Sequence, residues 1–385
     1  MRVGIIGYGM IGEIYDSILS SLDWVEVCGI VEKDEGKRNK ISAASKVKLF
    51  SDYQELIETA KPDVIFICTP IIFHEEIARY AIERNIHTLC EKPLAIDVHK
   101  SLELYKLAKE KGIYHTTGLQ YILDPVVIEA KNMIESGALG DLYYMRAILD
   151  EGGSYRVDWS DYALKGIVPS DPRISWRFDK SKGGGVLFES GCHMVNVARF
   201  LFGDLKKIVA FKTPSGDQCG DILTQTVAVF DKIPQGSFTV SYFGRSIGHN
   251  FEFEIIGSKG QCVVRPFLDL TYFPKSSDKE EKKNAGPLLM KLLMKYGEKY
   301  KALRLMHMTE KINDMSKSMD FPGRDFLRIW AWGIAENTIR FLIGIKEKRQ
   351  IVPSFFEAVK AQEVAEAVYL SCREGRAVEL PLLDY

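Results

Sequence analysis

The apolar run Val3-Gly4-Ile5-Ile6 breaks at Gly7-Tyr8-Gly9-Met10-Ile11-Gly12 and resumes as Ile14, Tyr15, Ile18, Leu19 and Leu22 at helical spacing. A buried strand, a glycine turn and an amphipathic helix in that order leave few folds open. Gly7 makes the tight turn, Gly9 lets a diphosphate approach the backbone, and Gly12 lets the helix pack close to the strand. Met10 and Ile11 open the helix, whose N–H groups and dipole face an anion. A glycine turn alone is common, so the context decides. A second apolar run, Val25 to Val31, ends at Glu32, about twenty residues beyond Gly12, where an acid meets a ribose 2′-hydroxyl. The chain is therefore expected to begin as a dinucleotide-binding domain, with Glu32 favouring NAD over NADP.

At 385 residues the chain is too long for one ordinary core, and two domains are expected. A formal net charge of -1 provides no field for nucleic acid or a membrane surface. Seven cysteines without a C-x-x-C pair fit neither a disulfide framework nor a zinc ribbon. No stretch is apolar for the length of a membrane span, and the first strand begins where a signal peptide would lie. A soluble, cytoplasmic protein is the expectation.

Strands and helices alternate as far as Thr117, through Val64–Cys68, Glu75–Arg84, Ile86–Cys90, Asp97–Gly112 and Ile113–Thr117. That rhythm makes a doubly wound parallel sheet of the Rossmann type, assigned to residues 1–121. Ser51 to Gln54 reads as an S-x-x-Q helix start. After Gly118 come a helix, a strand, a polar aromatic stretch and Gly183-Gly184-Gly185 before an apolar helix, Val186–Phe202. Five runs of β character between Lys207 and Val264 follow. Residues 122–385 are therefore expected to form an α+β substrate-binding and oligomerisation domain. Its sheet is large, mainly antiparallel and open, with a helical insertion around residues 285–320. Lys275–Asn284 reads as a charged loop, and Ser354 with Glu357 as a capping box.

Ligands of such sheets lie at the carboxyl ends of the strands. Thr69-Pro70 with His74, Glu91-Lys92-Pro93, and Gly118 with Gln120 all fall there. Lys92 would place a cation beside the charged nicotinamide ring, suited to hydrogen bonding or proton transfer, though a lysine after a strand is ordinarily surface. Glu189 and His193 stand four apart, with Asn196 three further, on one face of an apolar helix. A lone histidine in such a helix is usually a core residue; acid, imidazole and amide together point to a site. His74-Glu75 begins a zincin-like pattern, but Ala78 stands where the second histidine belongs, so no metal is expected.

These motifs resemble the glucose–fructose oxidoreductase / inositol dehydrogenase / rhizopine-catabolism family of NAD(P)-dependent oxidoreductases. The similarity runs through the glycine motif, Cys68-Thr69-Pro70 with His74, Glu91-Lys92-Pro93, the triple glycine and the Glu189/His193/Asn196 face to Gly203. The resemblance implies hydride transfer between NAD and a secondary alcohol or ketone of a sugar, inositol or polyol, with Lys92 and His193 as acid/base candidates and Glu189 orienting them. Lys92 and His193 can exchange these two roles. It implies cofactor contacts from Gly7, Gly9, Met10, Ile11, Gly12, Glu32, Thr69, Pro70, His74, Glu91, Lys92 and Gln120. Substrate contacts would come from Lys92, Gln120, Trp176, Arg177, His193 and Asn196. Glu189 replaces the family's aspartate, Asn196 a frequent second aspartate, and Ile122 a frequent arginine between Gly118 and Pro125. A sugar hydrolase or eliminase using NAD transiently, and an inactive cofactor-binding regulator, are the alternatives. An open sheet face needs cover, so a homodimer or homotetramer through that sheet is expected. Leu288–Met308 carries an apolar helical arc outside the family pattern, expected to pack on protein rather than on a membrane.

Overall fold

The computed structural model describes residues 1–152, 165, 167–170, 175–213, 219–244, 250–296 and 324–385. They form two compact units. The first holds Met1–Leu119 and Ile334–Val359; the second holds the described parts of Gln120–Tyr296, residues 324–333, and Lys360–Tyr385.

In the first unit, six strands alternate with five helices: β1 (Arg2–Ile6), α1 (Met10–Ser20), β2 (Glu26–Val31), α2 (Glu35–Ala44), β3 (Leu49–Phe50), α3 (Tyr53–Ala60), β4 (Val64–Ile67), α4 (His74–Glu83), β5 (His87–Cys90), α5 (Val98–Glu110) and β6 (His115–Thr117). All pair in parallel in the order β3-β2-β1-β4-β5-β6, so the winding reverses between β1 and β4. Val3, Ile5 and every residue of β4 are fully buried, as strands covered on both faces require. Short side chains start the helices. Asp97 accepts from His99 and Lys100 on α5, whereas α3 is capped by Asp52 and not by Ser51. Asp52 wins because its carboxylate reaches two N–H groups at the helix's positive end.

The outer strand β6 is tied to residues 334–359. Thr116 Oγ1 donates to the Pro353 carbonyl at 2.6 Å, and Asn337 Nδ2 to that of Thr117 at 3.0 Å. Ser354 caps the last long helix in the expected box with Glu357. The His115 imidazole accepts from Phe355 N at 3.1 Å and stacks on the Phe355 ring.

In the second unit the chain runs through α6 (Pro125–Glu135), β7 (Leu142–Asp150), α7 (Cys192–Phe202), β8 (Leu205–Lys212), β9 (Leu223–Phe230), β10 (Gly236–Ser241), β11 (Asn250–Gly257), β12 (Gly260–Arg265), β13 (Asp269–Pro274), β14 (Glu281–Asn284), α8 (Ala285–Tyr296), α9 (Arg324–Lys346), α10 (Phe355–Glu374) and β15 (Val378–Glu379); α9 and α10 each extend across both units. The strands form one sheet, β14-β13-β12-β11-β7-β10-β9-β8-β15, in which only β7 and β10 pair in parallel. Alternation sorts its two faces. Met145, Ala147, Phe230 and Phe238 meet Met194, Val195 and Ala198 of α7. On the opposite face Ile148, Val209, Phe211, Val227 and Val229 are exposed.

Two expectations need correction. Lys275–Asn284 is not all loop: Glu281–Asn284 is an edge strand on β13, and Lys283 pairs with Glu129. Charged side chains suit an edge because they discourage further pairing. The apolar stretch Val186–Phe202 begins as a π-helical turn, Leu187–Gly191, before becoming α-helical at Cys192. The segment from Leu288 starts within α8, which packs on α6 with Ala285 and Leu289 buried. Residues 297–308 of that segment, and the rest of the 285–320 stretch, lie outside the described residues.

Burial holds His115 neutral and lowers its pKa to about 3. The unfolded imidazole takes up a proton near pH 6.5, and the folded one does not until far lower, so stability is lost as pH falls through that window. At pH 5 the loss is about 2 kcal/mol from this group. His115→Gln should flatten the acid side of a stability–pH curve measured by urea titration. An unchanged slope between pH 6.5 and 4 would contradict the assignment.

Candidate functional site

The first unit supplies a dinucleotide cradle at the carboxyl ends of β1, β2, β4 and β5. Gly7 has φ +93°, and a Cβ there would lie 2.8 Å from the Cys68 carbonyl carbon at the end of β4. A Cβ on Gly12 would stand 2.2 Å from the Gly7 carbonyl oxygen, so α1 crosses β1 at a distance only glycine permits. A Cβ on Gly9 would meet nothing within 4 Å. That open side, facing an α1 start with no side-chain cap, fits a diphosphate held by the N–H groups of Met10, Ile11 and Gly12.

Glu32 follows β2 directly, and Gly7 N–H donates to the Val31 carbonyl, which sets the acid beside the glycine turn. Its Oε1 accepts from Asp34 N at 3.0 Å, and Lys37 lies 3.9 Å from Oε2. Arg38 donates to the carbonyls of Glu32 and Lys33, so its guanidinium is occupied with backbone. Thr69 Oγ1, at the end of β4, is buried and makes no hydrogen bond among the described residues. A polar atom so placed is one a bound cofactor can satisfy.

His74 is 1% exposed, with Nδ1 2.8 Å from the Pro93 carbonyl and Nε2 2.7 Å from that of Thr69. Its ring nitrogens face carbonyls of the loops after β4 and β5, and burial disfavours the imidazolium, so the neutral ring donates to one of the two. Glu91 is held likewise: Tyr15 Oη donates to Oε1 at 2.7 Å, and Lys92 N donates to Oε2. Burial raises its carboxyl above the usual range. Gly118 keeps β6 clear of that carboxylate, 2.3 Å from where a Cβ would be. Lys92 follows Glu91 and is half-buried.

The second unit supplies the acid, imidazole and amide. Gly184 lets the chain cross the carbonyls of Trp176 and Arg177, and Gly185, at φ +137°, stands where a Cβ would lie 2.3 Å from Asp221 Oδ1. Asp221 accepts from Leu187 N at 3.0 Å and from Tyr369 Oη at 2.6 Å, which anchors the start of the π turn. Glu189, on that turn and 1% exposed, is bound by the Arg177 guanidinium and by Ser190 Oγ. Arg177 stacks on Trp176 and pairs with Glu189. His193 is 6% exposed and lies parallel to Tyr121, ring centroids 3.8 Å apart. Asn196, one turn on, is 2% exposed. Gln120 is buried beside Gly333, with Oε1 making no hydrogen bond among the described residues.

Sequence reasoning missed Tyr121, Glu151, Asp221 and Tyr242. Glu151, beyond β7, bears electrostatically on Tyr121, Arg177 and Tyr242. Tyr121 alone left a signal, since it lies inside the Gly118–Pro125 segment already singled out. Among the described residues no cluster of three or more His, Cys, Asp or Glu side chains could hold a metal, and all seven cysteines are free thiols. No helix among the described residues is long and apolar enough to cross a membrane.

Residues 1–118 match the oxidoreductase family with an NAD-binding Rossmann fold, and residues 127–263 match the GFO/IDH/MocA C-terminal domain. The chain belongs to the GFO/IDH/MocA oxidoreductases. It is 33% identical over 220 residues to a levoglucosan dehydrogenase of Pseudarthrobacter phenanthrenivorans, covering 54% of this chain but 53% of that relative, about half its length. A myo-inositol 2-dehydrogenase of Thermotoga maritima is 23% identical over 69% of this chain and 75% of its own. The solved structure of levoglucosan dehydrogenase with NADH and levoglucosan shares the fold, with a TM-score of 0.77, 23% identity and 99% of each chain covered.

The ion pair of buried Glu189 with half-buried Arg177 yields a stability test. Removing one partner of such a pair leaves the other charge unpaired and costs about 3–5 kcal/mol, whereas removing both is far milder. Arg177→Met should lower the melting temperature more than Arg177→Met combined with Glu189→Met. Equal losses from the two proteins would show that the ions do not depend on each other.

Proposed function

We propose that this oxidoreductase oxidises a secondary hydroxyl, or reduces the matching ketone, on a sugar, inositol or related polyol, with NAD as the hydride acceptor or donor. The observation that carries this reading is the buried face of Glu189, His193 and Asn196, backed by Arg177, in a chain that also keeps Lys92 after β5. The names of the levoglucosan and myo-inositol relatives give the same substrate chemistry. Bound NAD supplies only a hydride site; the protein must handle the hydroxyl proton and the charge on the oxygen. In the oxidative direction His193 accepts the proton, and Lys92 hydrogen-bonds the oxygen as negative charge develops. Glu189 works electrostatically, its own charge balanced by Arg177. Asn196, Gln120 and Trp176 contact the remaining hydroxyls and the ring.

Residues 1–121, joined in one unit by Ile334–Val359, act as the cofactor domain, and the remainder of 122–385 as the domain for substrate and self-association. The outer sheet face, with Phe211 72% exposed among Val209, Val227 and Val229, supports a homodimer or homotetramer. A cytoplasmic setting accords with seven cysteines outside any disulfide.

Lys92→Ala and His193→Ala should each lower kcat about a hundredfold or more while leaving NAD affinity nearly unchanged. A screen of inositols, aldoses and sugar acids for steady NADH formation provides the assay, and steady release separates a dehydrogenase from an enzyme that regenerates NAD in every turnover. If no member of the panel yields NADH while NAD binds, the dehydrogenase reading fails.

Cofactor choice follows from Glu32. Repulsion of a 2′-phosphate by the Glu32 carboxylate, with Lys37 3.9 Å from its Oε2, is worth roughly 1–3 kcal/mol, ten- to a hundredfold in affinity. Fluorescence titration should show that preference for NAD, and Glu32→Ser should narrow it. Equal affinities in the parent protein would overturn the assignment.

A further inference from the structure

Tyr121 belongs to the 3-10 turn Gln120–Leu123, and its ring lies 3.8 Å from that of His193 at an interplanar angle of 12°. Three neighbours hold it from other directions. Phe267 meets it edge-on at 4.7 Å, Phe251 meets it at 5.8 Å, and the Trp330 side chain donates to the phenol oxygen. Burial, with Glu151 and Glu189 adding to it, holds the phenol far above its usual range, so Tyr121 stays neutral and is not itself a proton acceptor.

We propose that Tyr121 is a positioning residue for His193, a fixed aromatic shelf that sets the plane of the imidazole and stabilises the imidazolium formed when it takes the substrate proton. The role rests on the reading of His193 as the general base. A neutral imidazole gains dispersion from a parallel ring, and an imidazolium gains in addition the attraction of a cation for the π face. The stack therefore favours the charged form, which exists only after proton transfer. Among the described residues the other titratable groups around this cluster are Glu189 with its partner Arg177, Glu151 beyond β7, and Asp124, which accepts from the Phe267 N–H and whose carboxyl burial raises to about 7. Because Tyr121 is held by Phe267, Phe251 and Trp330, the shelf comes already placed, and the reaction need not spend free energy on ordering it.

The test uses the full-length protein with two kinds of change at this position. Tyr121→Leu removes the ring; replacement of Tyr121 by a fluorinated phenylalanine keeps the shape while draining charge from the π face, and so answers even if the leucine variant does not fold. The first readout is an NMR titration of the His193 imidazole in the absence of substrate, assigned by the signal lost in His193→Ala. Both variants should titrate at lower pH than the parent, by about half a unit. The second is the pH profile of kcat. Its acid limb should move to lower pH in both variants, and Tyr121→Leu should lose about tenfold at the optimum with NAD affinity unchanged. Tyr121→Phe, which keeps an ordinary π face, should stay within about twofold of the parent. A His193 titration that does not move in either variant overturns the proposal, as does a Tyr121→Phe loss equal to that of Tyr121→Leu. Full turnover by His193→Ala would instead sink the catalytic reading of His193, a failure visible without any change at Tyr121.

Discussion

The structure depends on backbones meeting where no Cβ intervenes. In the first unit, Gly12 sits over the carbonyl of Gly7, so α1 crosses β1 at a distance that any side chain would enlarge. Everything the cradle offers an anion follows from that crossing: the first turn of α1 is held against the strand ends, and the neighbouring Gly7 turn is pressed on the end of β4. In the second unit the same device recurs. Gly184 and Gly185 let one segment pass over the Arg177 carbonyl and under the Asp221 carboxylate, and Gly220 lets the return segment approach the Gly184 carbonyl. A larger residue at these points would have to displace backbone, the costliest kind of overpacking.

These crossings also place charge. The segment that Gly184 brings close carries Arg177, and the π turn that follows Gly185 carries Glu189. Burying either ion alone would cost several kcal/mol, and only their juxtaposition makes the burial tolerable. The longer glutamate matters for this reason: it reaches the guanidinium while Ser190 satisfies its second oxygen. His193, one turn beyond this acid, lies parallel to the Tyr121 ring with 3.8 Å between ring centroids.

The first unit shows a parallel economy. His74 and Glu91 are polar groups in a buried setting, and each is spent on holding the loops that follow β4 and β5. Thr69 Oγ1 and Thr117 Oγ1, at the ends of β4 and β6, are instead buried atoms without a bond among the described residues.

Much of this was legible along the chain, because it depends on neighbours in sequence. The order of strands and helices, the glycine turn, Glu32 at the end of β2, and the Asp97 and Ser354 caps are local facts with local physics. The motif spacing was also enough to identify the family. What sequence could not determine involves residues brought together from far apart. The pairing of Arg177 with Glu189, twelve residues on, is one such case. Asp221 and Tyr369 carry no motif, yet they anchor the turn on which the acid stands. The π turn itself is invisible to a helical-period argument, since one added residue per turn leaves the apolar pattern nearly unchanged. Pairing of buried charges, stacking of His193 on Tyr121 and strand pairing at Glu281–Asn284 are decided by which surfaces meet, and only the folded chain settles that.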